Sequence, residues 1–244
     1  MTMPAVVLTT NGRIALKDRP RPTLWPDQVL VEVDLCGICG SDLHASQLPQ
    51  VYRGDCILGH ESTGRVAAVG DDVADWVAGQ RVAVNPNGNV DGTCEHCRSG
   101  RPNFCRQATL ETALGLQADG ALAPLMATFP GHLRRIPDEL GTLEAAWVEP
   151  TATALRAIEL AGELAGRTVL VTGGGRSGSS LAGSLTSDRP QRSFSWSRQR
   201  NGPSSRTIPM PYRSLPTKPQ ATQAEWVSTS CSSAREAPLP LLRR

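Results

Sequence analysis

The sequence predicts a mostly β barrel or sandwich module, then the start of an α/β domain, then an irregular C-terminal segment. Three observations carry this reading. Short strand-like runs punctuated by Gly, Pro and Asn fill residues 1–141. Helical composition replaces them from 142 to 161 and leads into an apolar strand at 167–172 and a glycine-rich turn. From 179 to 244 the chain is dominated by Ser, Arg and Pro, with no alternation of strand and helix patterns.

Residues 5–8 and 14–17 read as strands around Asn11-Gly12, the strongest short hairpin signal. Val29, Val31 and Val33 alternate with Leu30, Glu32 and Asp34, a third strand. Residues 63–69 and 81–84 are further strands, bounded by Gly70 and by Asn85-Pro86-Asn87-Gly88. Residues 142–148 and 151–161 predict helices, with Pro150 at the start of the second. The strand at 167–172 then runs into Gly173-x-Gly175-x-x-Gly178. That pattern after a strand is a dinucleotide-binding signature, because glycines let backbone N–H groups approach a pyrophosphate at a helix N-terminus.

Composition excludes several function classes. The 244 residues contain no run of 18 or more apolar residues, which excludes a transmembrane helix. Residues 1–10 lack the basic, apolar and small-residue zones of a signal peptide. Seven cysteines without an export signal point to a reducing, cytoplasmic setting and to metal binding rather than disulfides. The near-neutral total of +2 hides a split. Residues 1–175 carry 14 Lys+Arg against 20 Asp+Glu, whereas residues 176–244 carry 11 against 3. Those tail charges are scattered among Ser and Pro rather than clustered, so no nucleic-acid partner is expected.

Three clusters carry chemistry. The first is Cys36-Gly-Ile-Cys39-Gly-Ser41-Asp-Leu-His44, with Gly59-His60-Glu61 sixteen residues on. Thiolate, imidazole and carboxylate are zinc ligands, and Cys39, His60 and one carboxylate fit a catalytic zinc that keeps an open position. The second is Asp91, Cys94, Cys97 and Cys105, which reads as a structural zinc knot closed by four ligands. His96 competes as a ligand, but its place beside Cys97 turns it away. The third, Glu149-Pro150 ahead of a helix, carries no chemistry alone.

Together these stretches resemble the zinc-dependent medium-chain dehydrogenase/reductases, the alcohol and polyol dehydrogenase family. The match runs through residues 37–44, 58–61, 91–105, 149–150 and 168–175, in the family's order and spacing, over about 70% of the chain. The resemblance implies a GroES-like catalytic β-domain with two zinc sites over 1–141. It implies interdomain helices and the first Rossmann strand with its glycine-rich loop over 142–178. It also implies hydride transfer between a small alcohol or polyol and NAD(P), with no membrane partner. Carried over residue by residue, Cys39 and His60 match catalytic-zinc ligands, and Glu61 or Glu149 supplies the carboxylate. Ser41 matches the hydroxyl that takes the substrate proton, and His44 the relay to solvent. Asp91 stands where the family has the first of four structural-zinc cysteines, ahead of Cys94, Cys97 and Cys105. Gly173, Gly175 and Gly178 match the NAD(P) turn. Cys36 and Cys56 match no ligand position and read as buried structural residues. Glu at 149 points to the polyol or secondary-alcohol branch. Intact members are homo-oligomers. The alternative is a catalytically inactive zinc-binding β-domain, a remnant or a partner-binding module.

The Ser/Arg/Pro-rich segment 179–244 does not continue a Rossmann pattern, and the expectation is a chain truncated or frameshifted after about residue 175. Shifting the frame by one base turns Arg176-Ser177-Gly178 into Pro-Ile-Gly, the family's usual loop, for permitted codons. The same shift turns residues 194–197 into an apolar triplet ending in Val or Glu. A Glu there lies nineteen residues after Gly178, near the spacing of the ribose-binding acid. Coding DNA in which the second frame lacks a long dehydrogenase-like reading would sink this expectation.

Overall fold

The computed structural model describes residues 1–47, 51–87, 90–91, 93–108, 112–164, 168–172, 175–187, 194–197 and 224–228. It divides into two compact units, Met1–Pro150 and Thr151–Arg244.

The first unit opens with β1 (Thr2–Leu8), β2 (Ile14–Pro20) and β3 (Val29–Gly37). A short helix α1 (Gly40–His44) follows, then β4 (Cys56–Ile57), β5 (Glu61–Val69) and β6 (Arg81–Val84). The one-turn helix α2 (Glu95–Arg98) precedes β7 (Leu125–Thr128), β8 (Leu133–Arg135) and α3 (Thr142–Ala145). Helix α4 (Val148–Ala161) runs across the boundary.

β1 and β2 form the hairpin that Asn11-Gly12 predicts, closed by Thr9 N–H donating to Arg13 O at 2.8 Å. Gly12 sits at φ +76°, where a side chain would crowd the backbone. Along β1 the period of two puts Met3, Ala5 and Val7 inside, against Ile57 of β4. The sheet order is β2-β1-β4.

A second, antiparallel sheet has the order β7-β3-β5-β6-β8. Val29 and Val31 of β3 are fully buried and meet Val66, Val82, Val84, Met126 and Leu133 in the main core. The β3–β5 pairing slips twice. Between Leu30 and Val31 the extra residue, Ala67, lies on β5; between Val33 and Leu35 the extra residue, Asp34, lies on β3. Each slip is a bulge that reverses which alternate residues face the core. Hence Val31 and Val33 pack inward before Asp34, and Cys36 does so after it.

The second unit is built on β9 (Thr168–Thr172), which runs into α5 (Arg176–Ser187). Ala154, Ala157 and Ile158 of α4 pack with Val169, Val171, Leu181 and Leu185. β10 (Phe194–Ser197) and β11 (Ala224–Ser228) pair in parallel with β9, one on each side. The in-frame sequence pattern marks no strand in this Ser/Arg/Pro-rich segment, so these two strands depart from the expectation of an irregular 179–244. Strand preference depends heavily on neighbours. Here the edges of β9 offer a backbone ladder, and Phe-Ser-Trp-Ser and Ala-Glu-Trp-Val-Ser contain the aromatic and branched residues that accept one. Residues 209–213 lie outside the described residues.

Candidate active site and metal centres

The first centre is assembled by the end of β3, α1 and the start of β5. Cys39 is the residue preceding α1, in extended conformation, and its N–H donates to Asp42 Oδ2 at 2.8 Å. Gly59 brings His60 and Glu61 to it at φ +95°. A Cβ there would lie 2.6 Å from Leu122 Cγ and 2.8 Å from Cys36 Sγ, so only glycine fits the approach. The ligand atoms of Cys39, His60 and Glu61 lie within 4.8 Å of one another, and the last two residues are buried.

Asp42, which the sequence reading passed over, organises this centre. It is 2% exposed and places Oδ1 3.5 Å from His60 Nδ1, while the same oxygen accepts the Gly59 N–H at 3.3 Å. A carboxylate on one ring nitrogen orients an imidazole and leaves the other free to ligate. The other nitrogen, Nε2, lies 3.5 Å from Ser41 Oγ. The available signal was the acid three residues after Cys39, the spacing of a reciprocal helix cap.

Electrostatics follow from this packing. Burial alone pulls His60 down, but the Asp42 carboxylate and the Cys39 sulfur more than reverse it, to about 10. Cys39 is lowered, chiefly by hydrogen bonding to His60, which favours the thiolate a metal needs. Burial raises the Cys36 thiol to about 12, as it does the Cys56 thiol, in keeping with structural rather than ligating cysteines.

Glu149 falls in the first turn of α4 and is half-buried. Burial raises its carboxyl, with His60 opposing and Glu61 and Asp42 adding. It therefore senses the centre's charges, yet the mutually close triad contains Glu61 and not Glu149. Pro150 lies in the third position of α4, within the first turn, where a missing N–H costs nothing. His44 is exposed in the last turn of α1.

The second centre brings together all four expected residues. Ligand atoms of Asp91, Cys94, Cys97 and Cys105 lie within 4.8 Å of one another. Cys94 Sγ and Cys97 Sγ are 3.6 Å apart. A tetrahedral zinc with Zn–S near 2.3 Å requires about 3.8 Å, so this donor set fits the metal in both chemistry and spacing. His96 turns to Phe104, with ring centroids 6.1 Å apart, and stays out of the set. Main-chain N–H groups of Cys94 and Thr93 hold the Asp91 carboxyl down near 2.

Of the glycine signature, Gly173 lies outside the described residues. Gly175 immediately precedes α5, accepting the Ser179 N–H at 2.9 Å, and Gly178 is buried in the first turn. The strand order β10-β9-β11 makes the end of β9 a point where strands depart to both sides, the position at which open parallel sheets bind ligands. Among the described residues no helix is long and apolar enough to cross a membrane.

Residues 25–138 match the alcohol dehydrogenase GroES-like domain. The chain is 35% identical to L-threonine 3-dehydrogenase of Xanthomonas oryzae over 179 residues, 71% of this chain and 51% of that protein. It is also 35% identical to sorbitol dehydrogenase of Bacillus subtilis, over 71% of this chain and 49% of that one. Among solved structures, a zinc-binding dehydrogenase of Sinorhizobium meliloti bound to NADP superposes with a TM-score of 0.66 at 35% identity, covering 74% of this chain and 52% of that one. The chain thus spans about half the length of the curated relatives it matches. Through these residues the chain belongs to the zinc-dependent medium-chain dehydrogenase/reductase family.

Proposed function

We propose that the chain serves a zinc- and NAD(P)-dependent oxidoreductase that moves hydride between a small alcohol or polyol and the nicotinamide. The observation that carries this is the triad Cys39, His60 and Glu61 with Ser41 Oγ 3.5 Å from His60 Nε2. When bound, zinc supplies Lewis acidity at an alcohol oxygen and NAD(P) accepts the hydride. Cys39, His60 and Glu61 would hold the metal, with Asp42 fixing the imidazole. Glu149, kept just outside the triad, is the carboxylate available for exchange. Ser41 Oγ accepts the substrate proton, and exposed His44 hands it to solvent. Asp91, Cys94, Cys97 and Cys105 would hold a second, structural zinc. Backbone N–H groups at the start of α5, where the sequence motif Gly173-x-Gly175-x-x-Gly178 ends, would cradle the pyrophosphate. A cytoplasmic location suits the reduced cysteines, and assembly as a homo-oligomer follows the family.

The test measures zinc per purified chain and NADH absorbance with a panel of secondary alcohols and polyols. Two zincs with turnover support the reading, and loss of turnover in Cys39→Ser ties it to the triad. One observation favours a second reading, a zinc-binding β-domain without turnover: both ligand sets lie within Met1–Pro150. Two zincs with neither NADH formation nor nicotinamide binding would select it.

A further inference from the structure

Asp91 is the one carboxylate in a set otherwise made of cysteines, and its surroundings show what a carboxylate adds. Its Oδ1 accepts the Thr93 N–H at 2.7 Å and the Cys94 N–H at 2.9 Å. Cys94 is the residue that enters α2, so this oxygen sets the approach of the Cys94-x-x-Cys97 turn. The Asp91 main-chain N–H in turn donates to Cys105 Sγ at 3.4 Å. One residue is thereby tied to both ends of the ligand set. A carboxylate has two oxygens and about four lone-pair sites, whereas a thiolate presents a single large atom. A sulfur at this position could not take two main-chain N–H groups at 2.7 and 2.9 Å and ligate a metal in the same direction.

We infer that Asp91 divides its two oxygens: Oδ1 holds the 91–94 turn in its metal-ready shape, and the other oxygen ligates the metal singly. This rests on the reading of 91–105 as a metal knot. The consequence is a site whose retention of metal depends on the turn as well as on ligand count. Replacing Asp91 by cysteine therefore weakens it.

The experiment uses the full chain loaded with cadmium-113, whose resonance moves downfield with each sulfur ligand, so a three-sulfur knot separates from the single-sulfur centre at Cys39. Wild type, Asp91→Cys and Asp91→Asn are compared for resonance position and for metal release to a chelator, with far-UV circular dichroism confirming the fold. Asp91→Cys is expected to move the knot resonance further downfield and yet release metal about 10-fold faster or more, the usual scale for losing an outer-shell partner. Asp91→Asn, which keeps an oxygen for both N–H groups, is expected to move the resonance and weaken retention through the lost negative ligand. If Asp91→Cys retains metal as long as wild type, the turn does no such work and the inference fails. An unchanged resonance and release in Asp91→Asn overturns the ligating oxygen. Absence of any multi-sulfur resonance in wild type overturns the knot itself, and the inference with it.

Discussion

Gly59→Ala is expected to destabilise the first unit by two separable effects. Gly59 sits at φ +95°, and an added Cβ would meet Leu122 Cγ at 2.6 Å and Cys36 Sγ at 2.8 Å. The backbone conformation alone costs about 1–3 kcal/mol for a residue with a side chain. Forcing an extra methyl into packed surroundings adds about 1–3 kcal/mol. The structure supplies a control. Gly79 has nearly the same φ, +89°, but a Cβ there meets nothing within 4 Å. Gly79→Ala should therefore show the conformational cost alone, and Gly59→Ala about 2–6 kcal/mol in all. Urea unfolding with a slope of about 2 kcal/mol/M turns this into a midpoint shift of about 1–3 M for Gly59→Ala, roughly twice that of Gly79→Ala. Because Gly59 also places His60, zinc retention at the Cys39 centre should fall in Gly59→Ala and stay intact in Gly79→Ala. Equal shifts for the two variants would refute the clash, and a Gly59→Ala midpoint indistinguishable from wild type would refute both terms.

Asp42→Ala removes the carboxylate facing His60 Nδ1 and is expected to weaken metal binding at the Cys39 centre about 10–100-fold, leaving the 91–105 knot unchanged; chelator competition that finds equal affinity overturns this role. In metal-stripped protein, iodoacetamide near neutral pH should modify Cys94 first among the described cysteines. The main-chain N–H of Cys97, then that of Arg106, lowers this thiol to about 7, while burial holds Cys36 and Cys56 near 12; mass spectrometry reads the order. Asp55 pairs with Lys17 at 3.3 Å and Arg19 at 2.7 Å, and Lys17 leads in lowering its carboxyl below 3.8. Its contribution is present above that unfolded value and is lost as pH falls through the lowered one. The urea midpoints of Asp55→Asn and wild type should thus differ at pH 7 and converge in acid, and an acid-independent difference counts against the pairing.

Legibility in the sequence followed the length and regularity of each signal. The β1–β2 turn, the strand at 81–84 and the clustering of Asp91, Cys94, Cys97 and Cys105 were readable because each is a local pattern with a fixed spacing. β4 and β8, of two and three residues, are too short to show a period. β7, Leu-Met-Ala-Thr, carries no strand signature of its own and exists because β3 offers it an edge. Asp42 was overlooked because its role is to orient a ring eighteen residues away, a relation that spacing does not reveal. The choice between Glu61 and Glu149 needed geometry for the same reason. Glu61 follows His60 in the chain, while Glu149 reaches the centre only through the path of α4.

The two slips in the β3–β5 pairing lie on opposite strands, so they cancel: Val29 to Leu30 and Leu35 to Gly37 follow the same register, and only the stretch between is offset. Ala67 and Asp34 are thus spare residues, one on each strand, outside the ladder of partners. Deleting Asp34 would leave Val33 opposite Gly64 and Leu35 opposite Thr63, with Cys36 still facing the core and the chain still leaving β3 toward Cys39 on the same side. Deleting Ala67 would likewise leave Leu30 opposite Ala68 and Val31 opposite Val66. One-residue deletions at these two points are therefore absorbed by the sheet, whereas an insertion beside either adds a second unpaired residue, a distinction that substitution scanning cannot detect.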